Sequence, residues 1–260
     1  MDLHGRVALV TGAAGHLGSV MAEGLAELGA DLLLVDLDEV RVGELADWLE
    51  LAHGIRAIAV VADLEDEVAV RALPHRARSL LGRLDIVVNN AAFVGTSGLA
   101  GWAVPFAEQT SETWRRAIEV NLTACFILCQ EAAPLLAHHS KGSIINIGSI
   151  YGVYGPDLSL YTGTQMQNPA AYAASKGGVL QLTRWLSTVL GPQTRVNAIC
   201  PGGVARGQPQ VFAERYIART PLKRMAKEED FKGAVAYLAS DLSAYMTGQT
   251  LMVDGGWGVW

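Results

Sequence analysis

Cysteine is scarce in this chain, and clustered positive charge is missing. The 260 residues contain only three cysteines, Cys125, Cys129 and Cys200, an odd number without the close pairs of a zinc site or a disulfide framework. This usage predicts a reduced, cytoplasmic setting and no metal site. The formal net charge is -6 without any basic run, which argues against a nucleic-acid partner because phosphates are neutralised by clustered lysine and arginine.

Long hydrophobic runs are missing as well. The first apolar segment, residues 7–10, ends at Thr11 and Gly12 and is too short for a secretory signal. No run approaches the roughly 20 apolar residues that a membrane span needs, so no membrane partner is expected. Half of the residues are nevertheless apolar, which is enough to bury the core of one large domain covering residues 1–260.

Short aliphatic runs alternate with longer amphipathic segments, a pattern typical of parallel strands joined by crossover helices. The predicted strands are residues 7–10, 31–35, 57–61, 86–89, 143–147, 195–199 and 250–253. The predicted helices are residues 17–28, 40–53, 65–81, 111–138, 170–190, 209–218 and 228–239. The fold class is therefore α/β, a Rossmann-type doubly wound parallel sheet of about seven strands with helices on both faces.

Three long irregular stretches fall where parallel strands present their carboxyl ends, the edge at which such sheets bind ligands. These irregular stretches are residues 93–110, 152–169 and 202–209. The regions expected to contact substrate are 93–110, 152–169 and about 202–222, the last of which includes a predicted helix. Loops of this length in a compact domain are usually functional.

A glycine-rich turn links the first strand to the first helix. Gly12, Gly15 and Gly18 allow a tight turn and let a pyrophosphate approach the helix N-terminus, where His16 and Leu17 also lie. We therefore expect this segment to bind a dinucleotide. The alternative is a tight strand-to-helix connection without a ligand.

Asp36 ends the second strand, where a carboxylate can accept hydrogen bonds from the hydroxyls of an adenosine ribose and would repel a 2'-phosphate. Leu37 offers no cation to such a phosphate, so NAD is favoured over NADP. Alternatively, Asp36 only caps the next helix. The ends of the next two strands add five candidate cofactor contacts, which are Asp63, Leu64, Asn90, Ala91 and Ala92.

Tyr172 and Lys176 lie four residues apart on a predicted helix and so share one face. An ammonium beside a phenol lowers the pKa of the phenol, which makes it a proton donor and acceptor. The same spacing also arises by chance, with a packed tyrosine and a solvated lysine. Ser149, at the end of the fifth strand, could orient a substrate oxygen or only form a turn.

In this order, the motifs resemble the short-chain dehydrogenase/reductase family, and the match runs from Gly5 to Gly256. The resemblance implies that Tyr172 is the general acid/base, that Ser149 orients the substrate oxygen and that Lys176 binds the nicotinamide ribose. It further implies that Asn121 holds a relay water, although Asn121 could simply brace a strand. The remaining cofactor contacts that the resemblance implies are Pro201, Gly202 and Val204. A homo-oligomer, usually a tetramer packed through residues 111–138 and 170–190, is also implied.

Three departures separate the chain from the usual family pattern. His16 stands where the short enzymes of the family usually have a glycine, and residues 155–169 form an insertion before Tyr172. Arg206 replaces a threonine that usually holds the nicotinamide amide, so it could face a carboxylate or phosphate, or lie on a surface loop. The predicted substrate contacts are Ser149, Tyr151, Tyr161 and Arg206. With these departures the chain looks like the subgroup associated with flagellin modification and nonulosonic-acid sugars.

We therefore expect an NAD-dependent oxidoreductase that interconverts a secondary alcohol and a ketone on a polar, sugar-like or hydroxy-acid substrate. Polar side chains in the insertion favour a hydroxyl-rich substrate over an acyl chain. One alternative is an NADPH-dependent 3-oxoacyl-thioester reductase. Another is a non-catalytic, nucleotide-sensing scaffold, because a fold does not fix a function.

Overall fold

One parallel sheet of seven strands organises the chain. The computed structural model describes residues 1–94, 97–139 and 141–260, so Gly95 and Thr96 of the predicted loop 93–110 lie outside the described residues. The strands follow the spatial order β3-β2-β1-β4-β5-β6-β7. Their bounds are β1 Val7–Thr11, β2 Asp31–Asp36, β3 Ala57–Val61, β4 Ile86–Asn89, β5 Gly142–Ile147, β6 Thr194–Pro201 and β7 Thr250–Val253. The predicted fold class is confirmed.

Helices cover both faces of this sheet. Their bounds are α1 His16–Ala26, α2 Glu39–His53, α3 Glu67–Leu81, α4 Ser111–Ile118, α5 Ala124–Ala137, α6 Ala170–Leu190, α7 Gln210–Arg219 and α8 Lys232–Ala239. One apolar layer joins the sheet to α1, α2 and α8 through residues such as Leu25, Leu49 and Leu238. The opposite layer joins it to α3, α5 and α6. Every inner strand is therefore covered on both faces, which explains the apolar runs in the sequence.

The predicted helix 111–138 is interrupted by a π-helical turn. Helices α4 and α5 are joined through Glu119–Thr123, and Asn121 lies inside that turn. Wider turns of this kind often occur at functional sites. By length and composition alone Ser111–Ala137 is apolar enough to cross a membrane, but half of its most apolar window is buried in the fold. Its α5 part packs in the core, in the apolar layer between the sheet and the helices α3 and α6.

Two predicted helix starts differ from the structure by two residues or more, for local reasons. Helix α3 begins at Glu67 because the Asp66 side chain accepts hydrogen bonds from the amides of Val68 and Ala69 and so caps it. The predicted helix 228–239 begins as a 3-10 turn, Glu228–Phe231, before α8. Strands β1, β2, β5 and β6 run one or two residues beyond their predicted ends.

The order of the strands reverses between β1 and β4. From β1 the chain winds outward to β2 and β3, then returns to β4 on the other side of β1. The two crossovers leave in opposite directions, so a crevice opens at the carboxyl ends of β1 and β4. The glycine-rich turn follows β1 and Asn90 follows β4, which brings both motifs to this crevice.

Asp85 holds together the amino-terminal ends of β1 and β4. Its Oδ2 accepts from the Val7 amide at 2.9 Å and from Arg83 Nε at 2.7 Å. Its Oδ1 accepts from Arg83 Nη2 at 2.6 Å, and the residue is only 3 % exposed. A buried amide at the start of β1 therefore depends on this carboxylate.

We expect Asp85→Ala to lower the free energy of unfolding by about 1–3 kcal/mol, because the Val7 amide and the Arg83 guanidinium would lose their acceptor. Urea denaturation measures this difference. Asp47→Ala, at an exposed position on α2, is the matched control and should change stability by less than about 0.5 kcal/mol. Equal stability of both variants would contradict the assigned role of Asp85.

Candidate active site

Helix α1 packs against the glycine turn with no room for a side chain between them. A Cβ on Gly18 would lie 2.0 Å from the Gly12 carbonyl oxygen, and Gly12 itself has a φ of +62°. Helix α1 starts after Gly15 without a side-chain cap. Its first amides therefore point toward the crevice without internal partners, an arrangement that suits an anion such as a pyrophosphate.

Asp36 and Arg41 hold the same residue of this turn. Asp36 Oδ2 accepts from the Ala14 amide at 2.9 Å, while Arg41 Nη2 donates to the Ala14 carbonyl at 2.7 Å. Asp36 Oδ1 also accepts from the Leu37 amide at 2.8 Å. The cap of α2 is Asp38, whose side chain accepts from the Arg41 amide, so Asp36 holds the glycine turn instead. Arg41 is a cation beside Asp36 that the sequence analysis missed.

Asn90 ties the end of β4 to the end of β1. Its Nδ2 donates to the carbonyls of Thr11 and Gly12, both at 3.0 Å. A Cβ on Gly12 would come 2.8 Å from the Cα of Ala91. The small residues at this strand end thus allow the two backbones to approach closely, as their sequence pattern predicts.

A single large cavity of about 920 Å³ extends from this turn across the carboxyl edge of the sheet. Its size falls within the range of sites for cofactors and small ligands. The wall includes all but one of the predicted cofactor contacts, which are Gly12, Gly15, His16, Leu17, Asp36, Asp63, Leu64, Asn90, Ala91, Ala92, Tyr172, Lys176, Pro201, Gly202 and Val204. Gly18 lies beneath the wall and supports the turn. The glycine cradle, the uncapped helix start and the cavity size together fit a dinucleotide.

Ser149, Tyr172 and Lys176 meet at the far end of this cavity. Burial raises the pKa of Tyr172, while a hydrogen bond from Ser149 and the positive charge of Arg206 act in the opposite direction. Burial also lowers the pKa of Lys176 to about 8. The three side chains thus form a partly dehydrated proton-handling group.

The expected lowering of the Tyr172 pKa by Lys176 is wrong in this structure. Lys176 Nζ donates to the Ile147 carbonyl at 2.7 Å and lies 5.8 Å from the centre of the Tyr172 ring. The ammonium is therefore directed toward the end of β5, and desolvation of the phenol dominates.

Asn121 lies behind the wall and braces the chain after β4. Its Oδ1 accepts from the Phe93 amide at 2.7 Å, and its Nδ2 donates to Ser175 Oγ at 3.1 Å. A separate small void of about 10 Å³ touches both Asn121 and Lys176. That volume has room for one water molecule.

Among the described residues, the cavity wall does not include Tyr151 or Tyr161. Their hydroxyls bond to each other at 2.7 Å, and both rings join a cluster beneath α7 that contains Phe212 and Tyr216. Burial raises the pKa of Tyr151 far above its usual range. The insertion instead presents Gln165, Met166 and Gln167 to the cavity.

Helix α7 holds the insertion in place. Arg215 Nη1 donates to the carbonyls of Ser159 and Thr162, and Arg219 forms an ion pair with Asp157. Asp157 is one of the polar residues of the insertion, and its charge anchors the segment to α7. These arginine contacts join parts of the chain far apart in sequence, and no local spacing signals them.

Arg206 lies on an exposed loop, and its side chain, which is 28 % exposed, borders the cavity wall. Its Nε lies 3.3 Å from Glu228 Oε1, and the same carboxylate oxygen lies 3.8 Å from Nδ1 of His16. The sequence analysis also missed Arg116 in the wall, where both oxygens of Glu65 accept its hydrogen bonds at 2.8 and 2.9 Å.

A doubly wound parallel sheet with a glycine cradle and an adjoining serine, tyrosine and lysine defines a nucleotide-dependent oxidoreductase. A family model described as enoyl-(acyl carrier protein) reductase matches residues 12–258. The chain belongs to the short-chain dehydrogenase/reductase family, which confirms the resemblance stated from its motifs.

Curated relatives match over nearly the whole chain. Cis-4-hydroxycyclohexanecarboxylate dehydrogenase of Sinomonas cyclohexanicum is 36% identical over 97% of this chain and 96% of its own. Post-translational flagellin modification protein A of Campylobacter coli is 29% identical over 99% of this chain and 100% of its own. An NAD+-bound xylitol dehydrogenase structure superposes with a TM-score of 0.87 at 29% identity, covering 98% of this chain and 100% of the other.

Proposed function

We propose that residues 1–260 form one NAD-binding domain that interconverts a secondary alcohol and a ketone on a polar, sugar-like or hydroxy-acid substrate. The main support for this proposal is that Ser149, Tyr172 and Lys176 line the same cavity as the glycine cradle. When bound, NAD would supply the hydride acceptor or donor for such a reaction. The substrate loops are proposed at residues 93–110, 152–169 and 202–222.

Each reacting side chain has a distinct task. Tyr172 Oη exchanges a proton with the substrate oxygen, and Ser149 Oγ donates a hydrogen bond to that oxygen and orients it. Lys176, whose ammonium is held by the Ile147 carbonyl, would bind the nicotinamide ribose. Asn121 positions the chain after β4 and borders the small void, which would hold the water of a proton relay.

The polar insertion and the comparisons with known relatives support the proposed substrate class. Gln165 and Gln167 bring amide groups to the cavity, and amides bond well to hydroxyl groups. A hydroxycyclohexanecarboxylate and xylitol, named for the two relatives, are polar alcohols. The flagellin-modification relative is compatible with a sugar substrate in the predicted subgroup.

A thioester reductase that uses NADPH is the second candidate. The matching family model carries an acyl-carrier-protein name, and Arg41 places a cation beside the proposed ribose site. A scaffold without activity is disfavoured because the chain belongs to an oxidoreductase family and keeps Ser149, Tyr172 and Lys176. Assays with polyols, hydroxy acids and acyl thioesters, each with both coenzymes, separate the two enzymatic candidates.

Purified protein should oxidise at least one polyol or hydroxy acid with NAD, and Tyr172→Phe should lower kcat/KM by about 100- to 10000-fold. Because the raised pKa keeps the phenol protonated at neutral pH, alcohol oxidation should accelerate as pH rises and the phenolate forms. Steady-state assays from neutral to alkaline pH measure both effects. Tyr245→Phe, at a fully exposed position, serves as the control. Turnover by Tyr172→Phe near the wild-type rate would remove the proposed acid/base.

We expect Asp36→Asn to strengthen NADPH binding by about 10-fold or more, because a carboxylate no longer faces the added phosphate. Arg41→Gln in the same background should cancel part of this gain. Fluorescence titration with NADH and NADPH measures both affinities without turnover, and Asp47→Asn is the control. Unchanged selectivity in Asp36→Asn would refute the assignment of coenzyme preference to Asp36.

A homo-oligomer, with a tetramer as the expected form, fits the apolar groups exposed on α4, α5 and α6. These are Trp114, Phe126, Trp185 and Val189. Light scattering should give a mass of several chains, and Phe126→Glu with Trp185→Glu should reduce it. Trp48→Glu, exposed on α2, is the control. A wild-type mass of one chain would contradict the proposal.

We place the enzyme in the cytoplasm, with a small-molecule substrate and neither nucleic acid nor membrane as partner.

A further inference from the structure

We infer that Arg206 binds a carboxylate of the substrate, so that the physiological alcohol or ketone is an acid and not a neutral sugar. This inference rests on the proposed function and narrows its substrate class. It concerns a position where the chain departs from the usual family pattern.

The loop that carries Arg206 is held firmly. The Ala205 amide donates to the Ala226 carbonyl at 2.9 Å, and the Ala226 amide donates to Gly203 at 2.9 Å. Gln208 accepts from the Arg206 amide at 2.7 Å and donates to the Val204 carbonyl at 2.6 Å. The side chain of Arg206 thus projects from a braced segment, which reduces the entropy lost when it binds an anion.

The other cationic side chains of the cavity wall already have strong partners or lie elsewhere. Arg116 is paired with Glu65, Lys176 donates to the Ile147 carbonyl, and Arg41 donates to Ala14 at the proposed ribose end. Arg206 makes one contact of 3.3 Å through Nε. Within residues 1–94, 97–139 and 141–260, its Nη1 and Nη2 atoms form no hydrogen bond.

The position of Arg206 favours substrate over the adenosine half of a cofactor. Arg206 lies in the loop after β6, and it lines the same cavity as Ser149 and Tyr172. The carboxylates of the wall, Asp36, Asp63 and Glu65, follow β2 and β3 at the opposite side. Near the insertion the wall offers neutral amides. The carboxylate of Glu228 contacts Arg206 through Nε, so the Nη1 and Nη2 edge of the planar guanidinium is left for an entering carboxylate.

One competing role must be separated by experiment. Glu228 contacts both Arg206 and His16, and His16 begins α1 at the glycine cradle. The shared carboxylate of Glu228 thus places Arg206 near the start of α1, where a cofactor diphosphate would bind. A role on the diphosphate would affect all substrates equally, whereas a role on a substrate carboxylate would affect acids alone.

The test uses the enzyme saturated with NADH and small cyclic and linear carboxylic acids that lack a hydroxyl or ketone, each paired with its primary amide. Calorimetric titration measures binding without turnover. Wild type should bind at least one acid about 10- to 100-fold more tightly than its amide. Arg206→Gln should abolish this difference, Arg206→Lys should keep part of it, and the NADH affinity should stay within about threefold. Arg76→Gln, an exposed arginine on α3, should behave as wild type.

Equal binding of acids and amides by wild type would overturn the inference. A loss of NADH affinity in Arg206→Gln, with the preference for acids intact, would assign Arg206 to the cofactor and also overturn it. Failure of the proposed function looks different, because an enzyme without alcohol oxidation could still show the Arg206-dependent preference for acids. Conversely, Tyr172-dependent oxidation of neutral polyols with no preference for acids would leave the proposed function standing and refute this inference.

Discussion

The contact between Gly18 and the Gly12 carbonyl is the constraint on which the site depends. Gly18 has no side chain, and even a methyl group would not fit at this position. Helix α1 can therefore start directly over the end of β1. Three neighbours then fasten the same turn, as Asp36 and Arg41 grip Ala14 from two sides and Asn90 bonds to its first carbonyls. The turn before this helix N-terminus is thus held by groups from the end of β2, from α2 and from the residue after β4.

A buried polar network supports the reacting end of the cavity. Asn89 donates to Asn146 at 2.8 Å, and Asn146 donates to Thr183 on α6 at 2.9 Å. These bonds cross from β4 through β5 to the helix that carries Tyr172 and Lys176. Buried amides left unpaired would be costly, so the fully bonded arrangement fixes how α6 sits on the sheet. The same burial raises the pKa of Tyr172 and lowers that of Lys176 to about 8, so the two values move apart and both groups are held more firmly in their neutral forms.

The substrate side is built from segments that the rest of the sheet does not constrain. Helix α7 anchors the insertion through Arg215, and the C-terminal segment packs Trp257 against Tyr216 at a ring distance of 5.8 Å. The Tyr216 hydroxyl in turn accepts from the Gly203 amide at 2.6 Å, in the loop that leads to Arg206. Changes of sequence in these segments would therefore alter the position of the insertion and of the loop that carries Arg206.

The sequence by itself determined the order of strands and helices, the glycine cradle, and the placement of Tyr172 and Lys176 on one helical face. Those features depend on hydrophobic period, spacing and short motifs, which are local properties of the chain. The grouping of Ser149 with this pair was implied by the resemblance to the family. Only the tertiary structure decided that Arg41 lies beside Asp36 at the glycine turn, that Tyr151 and Tyr161 bond to each other behind the wall, and that Asp157 anchors the insertion. It also set the direction of the Tyr172 pKa shift. Each of these outcomes depends on partners distant in sequence and on burial, and neither is contained in the spacing of residues along a chain.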